Sequence, residues 1–267
     1  MTKTVVITGA SSGIGEALAY HAASLGYNLC LAARQSDKLN KVRENCLKMT
    51  ENVVVVQADV GIENDCKVMI EHTIQAFGGI DILINNAGIS MRAMFNECDL
   101  DVIHKVMDVN FWGTVYSTKY ALPYLLKSKG SVVGISSIAG IKGLPARTGY
   151  SASKFAMHGF LESLRIENLK MGLHVLIACP GYTASNIRQA ALNQSGKSQS
   201  ESPLDESKLM SAEKVASEVF KAINKRKSSL FLTFEGKATR FLNKFFPSLL
   251  DRLVYNKVSK EPDSPFK

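Results

Sequence analysis

The stretch Thr4-Val-Val-Ile-Thr-Gly9-Ala-Ser-Ser-Gly13-Ile-Gly15, continued by Glu16-Ala-Leu-Ala-Tyr-His-Ala-Ala-Ser-Leu25-Gly26, decides the fold. A β-branched apolar run feeds a glycine-rich turn, and a helix-period segment follows at once. That order is the setting a dinucleotide-binding turn requires. Gly9 permits the tight turn, Gly13 leaves room for phosphates, and Gly15 lets the helix pack close to the strand. Ser11, Ser12 and Ile14 complete the loop. Backbone N–H groups and the positive end of the helix then favour phosphate charge. The spacing is GxxxGxG, not the commoner GxGxxG. A glycine-rich turn without a ligand would account for the three glycines but not for their strand–turn–helix setting.

Outward from this turn, short apolar strands alternate with periodic helices along the 267 residues. Strands are predicted at about 4–8, 28–33, 53–58, 81–85, 130–136, 173–178 and 229–234, and helices at about 13–25, 37–48, 63–77, 99–127, 150–170 and 212–225. This βαβ rhythm predicts an α/β fold: a doubly wound, Rossmann-type parallel sheet of about seven strands, helices on both faces. At 46% hydrophobic, the chain supports one buried core, so 1–267 is read as a single domain with a variable C-terminal cap.

The second strand, Asn28-Leu-Cys-Leu-Ala-Ala33, selects the nucleotide. An Asp or Glu at its end would accept from a ribose 2′-OH, whereas a 2′-phosphate needs a cation. Ala33 stands at the acidic position and Arg34 follows, a guanidinium able to fork onto a phosphate with Ser11 or Ser12 nearby. The expected cofactor is therefore NADP. The alternative is that Arg34 is a solvated loop residue.

Further along stand Asp59-Val60, Asn85-Asn-Ala-Gly88, Asn110, Ser136-Ser137, Tyr150-Ser-Ala-Ser-Lys154 and Pro180-Gly181. A phenol and an ammonium four residues apart share one helix face, where the cation can lower the phenol pKa. In this order, from residue 4 to about 185, the phrases resemble the short-chain dehydrogenase/reductase family, single-domain subgroup. The resemblance implies an oxidoreductase transferring a hydride between NADP(H) and a carbonyl or alcohol. It implies that Tyr150 is the general acid or base, and that Lys154 holds the nicotinamide ribose and lowers the Tyr pKa. Ser137 would donate to the substrate oxygen, and Asn110 would hold a water leading from Lys154 to solvent. Asp59 and Val60 would bracket the adenine, and Asn86, Ala87 and Gly88 would pass along its ribose. Pro180 and Gly181 would pass the carboxamide, with Ser185, five residues beyond the Pro, or Thr183 finishing that contact.

Substrate contacts are expected from 90–97, 138–148 and the stretch after Tyr182, including Ser137, Leu144, Tyr150 and Tyr182 together with Met91, Met94, Phe95 and Ile138. They suggest a mainly apolar pocket, suited to an apolar ketone or aldehyde. The polar segment within 186–210 has a composition that resists ordering alone and is read as a mobile substrate lid. Phe111, Trp112, Tyr116, Phe155, Phe160 and Leu164 are candidates to face outward, and the resemblance implies a homodimer or homotetramer; the other possibility is that they face the sheet.

The net charge of +8 is uneven. Between Val219 and Lys257, nine Lys or Arg meet only Glu235 and Asp251. Within 235–258 the apolar pairs Phe241-Leu242, Phe245-Phe246, Leu249-Leu250 and Leu253-Val254 share one half of a helical wheel, with Arg240 and Lys244 on the other and Pro247 interrupting. The preferred reading is a basic amphipathic cap burying its apolar face on the domain, the substrate cleft or another subunit. The alternative is peripheral contact with an anionic membrane. No base-reading motif accompanies the charge, so no nucleic-acid partner is expected. The five cysteines show no CxxC and the five histidines no ligand spacing, so no metal is expected. With no leader and no apolar run of about 18 residues, the reading is cytoplasmic. A non-catalytic NADP(H)-binding regulatory module remains the contrasting functional class, as does a peripheral membrane reductase acting on lipid or steroid-like substrates.

Overall fold

In the computed structural model, residues 2–183, 187–199, 209–261 and 264–266 are described. Seven strands form one parallel sheet: β1 (Thr4–Thr8), β2 (Asn28–Ala33), β3 (Val53–Gln57), β4 (Ile82–Asn85), β5 (Ser131–Ile135), β6 (His174–Cys179) and β7 (Ser229–Phe231). Their spatial order is β3-β2-β1-β4-β5-β6-β7, so the winding reverses between β1 and β4. The crevice outside the carboxyl ends of the strands at such a reversal is where α/β sheets bind ligands.

The strands are buried on both faces and therefore read as continuous apolar runs. Alternate residues serve opposite layers. Val5 and Ile7 of β1 join a core with α1 (Gly13–Ser24), α2 (Ser36–Cys46) and α7 (Ala212–Asn224). Val6 points into the other core, with α3 (Glu63–Phe77), α5 (Gly113–Ser128) and α6 (Thr148–Glu167).

The one helix predicted over 99–127 is interrupted. α4 (Leu100–Met107) passes into a π-helical turn, Asp108–Trp112, before α5 begins. Such turns insert a residue into the helical ladder and concentrate at functional sites; this one carries Asn110. β7 stops at Phe231, short of the predicted 234, because the Thr233 hydroxyl accepts from the Gly236 N–H at 3.1 Å and starts α8 (Phe234–Phe245). Pro247, at the first turn of α9 (Pro247–Ser259), makes the predicted break.

α9 is anchored by Leu250, its one buried residue, by the Lys142–Asp251 ion pair and, just beyond its end, by Arg92 Nη2 to Glu261 Oε2 at 3.1 Å. The apolar half expected to be buried is divided: Leu250 is buried and Leu242 and Val254 are half-buried, whereas Phe241, Phe245, Leu249 and Leu253 are 59%, 55%, 49% and 48% exposed. α8 also touches the domain through the Asn243 amide, which donates to the Ile141 carbonyl at 2.9 Å. Leu164, a candidate outward residue, packs into the core under α6, whereas Trp112 and Phe155 are exposed.

Candidate active site

The β1–α1 turn is latched to the end of β4. The Thr8 hydroxyl accepts from the N–H groups of Asn86 and Ala87, both at 3.1 Å, and the Asn86 amide donates back to the carbonyls of Thr8 and Gly9 at 2.9 and 3.1 Å. Gly9 adopts φ +65, open to glycine at little cost. At Gly15 a Cβ would lie 2.1 Å from the Gly9 carbonyl oxygen, so helix and turn touch backbone to backbone. The result is a cleft of about 360 Å³. It is lined by Gly9, Ser11, Ser12, Gly13, Ile14, Gly15, Arg34, Asp59, Val60, Asn86, Ala87, Gly88, Tyr150, Lys154, Pro180, Gly181 and Thr183. Seventeen of the eighteen residues expected to hold a nucleotide thus meet on one surface; Ser185 lies outside the described residues. Arg34 Nη1 stands 3.9 Å from Asp59 Oδ2 at the rim. Lys38, absent from the sequence expectation, lines the same end and adds a second cation.

At the inner end, the Lys154 ammonium is buried and donates to the Ile135 carbonyl at 2.9 Å. Burial lowers its pKa to about 8. The ammonium lies 5.8 Å from the Tyr150 ring centroid. Burial raises the Tyr150 pKa; what pulls it back is first a hydrogen bond with Ser137, then the charges of Arg147 and Arg188. The cation on the next turn is itself weakened by burial.

Asn110 is fully buried and both ends of its amide bind protein. Its Oδ1 accepts from the Ile89 N–H at 2.8 Å, and its Nδ2 donates to the Ile89 carbonyl and the Ser153 hydroxyl, each at 2.9 Å. Asn110 pins together the π-helical turn, the segment after β4 and α6. Behind Ser137, His158 Nε2 sits 2.7 Å from the Ser136 hydroxyl, and burial drops its pKa to about 4, leaving a neutral ring.

A second cavity, of about 170 Å³, adjoins the cleft and includes Ser137, Ile138, Leu144, Tyr150 and Tyr182. Its outer wall comes from the C-terminal helices through Glu235, Thr239, Val254, Lys257 and Val258. Most of its lining surface is apolar, as expected, but the pocket also carries cations. Arg92, Lys142, Arg147 and Arg188 line it too. Of the expected contacts in 90–97, Ser90 and Arg92 reach it; Met91 is buried in a side core, and Phe95 is exposed. The described part of the expected lid, 187–199, is tied down. Leu192 exchanges backbone bonds with Ser90 and Arg92 at 2.9 and 2.8 Å, and the Asp99 N–H donates to the Gln194 carbonyl at 3.0 Å. Residues 186 and 200–208 of that segment lie outside the described residues.

Residues 3–196 match the family model described as short chain dehydrogenase. The chain belongs to the short-chain dehydrogenase family. Within that family it is 45% identical over 189 residues to 11-beta-hydroxysteroid dehydrogenase 1A of Arabidopsis thaliana, covering 70% of this chain and 54% of that one. It is 42% identical over 197 residues to 11-beta-hydroxysteroid dehydrogenase A of Sesamum indicum, covering 73% and 56%. The chain spans little more than half the length of these relatives. The short-chain dehydrogenase fold is also that of two solved structures, each 24% identical. One is a short chain dehydrogenase/reductase from Burkholderia phymatum in complex with NAD (TM-score 0.83, covering 93% of this chain and 95% of that one). The other is an alcohol dehydrogenase from the archaeon Thermococcus sibiricus complexed with 5-hydroxy-NADP (TM-score 0.75, 86% and 94%).

For this short-chain dehydrogenase, sequence reasoning overlooked Lys38, Ser153 and Arg147. Lys38 stands in an ordinary helical charge pattern, and Ser153 lies inside the Tyr–Lys phrase as an unmarked spacer. Arg147 begins α6 after Ala146, a non-glycine residue at φ +56. That conformation costs about 1–2 kcal/mol, and a strained turn beside the cavity is a feature no spacing rule reports.

Proposed function

We propose that the protein is an NADP(H)-dependent oxidoreductase acting on a carbonyl or alcohol with an apolar, ring-like body, as the names of its hydroxysteroid dehydrogenase relatives suggest. One observation carries this: Ser137 and Tyr150 line both cavities, so the two hydroxyls stand where a nucleotide and a second molecule would meet.

The cleft fits a dinucleotide on its own terms. The turn leaves no room for side chains at Gly9 and Gly15, and the N-terminus of α1 faces the phosphate position. When bound, the nicotinamide supplies or takes up the hydride. The protein supplies position and protons. Ser137 and Tyr150 donate to the oxygen on which charge develops, and Tyr150 moves a proton at its phenolic oxygen. Lys154 adds positive charge beneath, fixed by the Ile135 carbonyl. Asn110 keeps α6 in register with the segment after β4 through Ser153 and Ile89.

Tyr150→Phe is expected to lose about 10²–10⁴-fold in turnover with NADPH affinity retained, measured by NADPH oxidation with a panel of ketones and by nucleotide titration. A near-parental rate would remove the assignment. The choice of NADP rests on Arg34 and Lys38 beside Ala33. Arg34→Ala should raise KM for NADPH far more than for NADH, and equal effects would refute the preference. A regulatory module that binds nucleotide without turnover has no use for the Ser137–Tyr150 pair, and the same panel separates that reading.

A second reading, contact with a membrane surface, is favoured by the exposed row Phe241, Phe245, Leu249 and Leu253 with Lys244 and Arg252 among them. Exposed Trp112 and Phe155 fit a homodimer or homotetramer contact. Five free cysteines fit a reducing compartment such as the cytoplasm. Among the described residues no helix is long and apolar enough to cross a membrane.

A further inference from the structure

Four of the cations lining the substrate cavity are engaged within the protein. Arg92 pairs with Glu261 at 3.1 Å, Lys257 with Glu235 at 3.1 Å, and Lys142 with Asp251. Arg188 Nη2 donates to the Thr183 carbonyl at 2.8 Å. Arg147 is different: among the described residues, its guanidinium has no carboxylate, carbonyl or ring partner.

Its backbone is nonetheless fixed on both sides. The Ala146 carbonyl accepts from the Ala93 N–H at 2.9 Å, the Arg147 N–H donates to the Leu144 carbonyl at 3.2 Å, and the Arg147 carbonyl accepts from the Ser151 N–H at 2.8 Å. The strained Ala146 thereby delivers Arg147 to the cavity wall three residues before Tyr150. Its charge is felt at the reacting end, where it acts to lower the phenol pKa. A half-enclosed guanidinium without a counterion is a fork for two oxygens of a planar or tetrahedral oxyanion.

We propose that the substrate carries an oxyanion, a carboxylate or phosphate, which Arg147 holds while Ser137 and Tyr150 engage the carbonyl or carbinol oxygen. This rests on the oxidoreductase reading and narrows it to an acidic class of substrate; Arg147 becomes the residue that sets specificity.

The test uses aryl keto acids of increasing chain length (benzoylformate, 3-benzoylpropionate, 4-benzoylbutyrate) and their methyl esters, with NADPH and the full chain. For at least one chain length, the acid is expected to exceed its ester at least tenfold in kcat/KM. Arg147→Gln should bring that ratio near one, chiefly through KM, and Arg147→Lys should restore part of it. Binding of the acid, read by thermal shift with NADP present, should weaken in parallel. Esters reduced as well as acids at every length, or a ratio unmoved by Arg147→Gln, would overturn the anion assignment and leave the oxidoreductase reading standing. If neither acids nor esters are reduced and NADPH does not bind, the parent reading falls and this inference with it.

Discussion

Lys154 is a buried ammonium that donates to a backbone carbonyl and, among the described residues, has no carboxylate paired with it. Its lowered pKa means that the fold disfavours its charge. Stability from this group is available above its ordinary value of 10.5 and is lost as pH falls through about 8, so at neutral pH the cost is complete. Lys154→Met should therefore raise the unfolding free energy at pH 7 by about 1–3 kcal/mol, while abolishing turnover. Urea denaturation from pH 7 to 11 checks this: the gain should shrink as pH approaches 10.5. A variant less stable than the parent at pH 7 would contradict it. At this scale the Ser137–Tyr150–Lys154 set was legible because each residue sits in a short phrase of fixed spacing. Arg147 was not, because its importance comes from a missing partner, which only packing creates.

The C-terminal cap shows how an element can be foreseen while its orientation is not. Strand positions agreed with the hydrophobic runs to within a few residues, because fully buried parallel strands carry an unbroken apolar pattern. The π-helical turn was invisible, since an inserted residue in a helix leaves no compositional mark. For α8 and α9 the wheel gathered the apolar residues, Leu250 among them, but periodicity cannot say which of them the domain covers. Leu250, 4% exposed, is the anchor. Leu250→Ala should weaken docking of α9 by about 2–5 kcal/mol. Limited proteolysis would then cut faster at Arg252 and Lys257, with the main unfolding transition of the sheet domain little changed. Equal cleavage rates in parent and variant would show that the ion pairs to Lys142 and Arg92 hold the helix alone.

For the molecule as a whole, the uncovered aromatic row shares α8 and α9 with five Lys or Arg against two acids, and the proposed membrane contact can be set against a protein contact by experiment. Anionic liposomes should carry the protein upward on flotation, and Phe241→Ser with Phe245→Ser should leave it at the bottom of the gradient. Neutral vesicles should recover much less. If the parent sediments with both vesicle types, the row covers protein instead, and its self-association would be seen by light scattering.

The outer wall of the second cavity is built from Glu235, Thr239, Val254 and Lys257, all downstream of the segment, 3–196, that matches the family. On the proposed reading, the hydride chemistry and part of the selecting surface therefore lie in separate stretches of the polypeptide. Changes confined to the tail would then alter which molecule is selected while leaving the nucleotide cleft as it is.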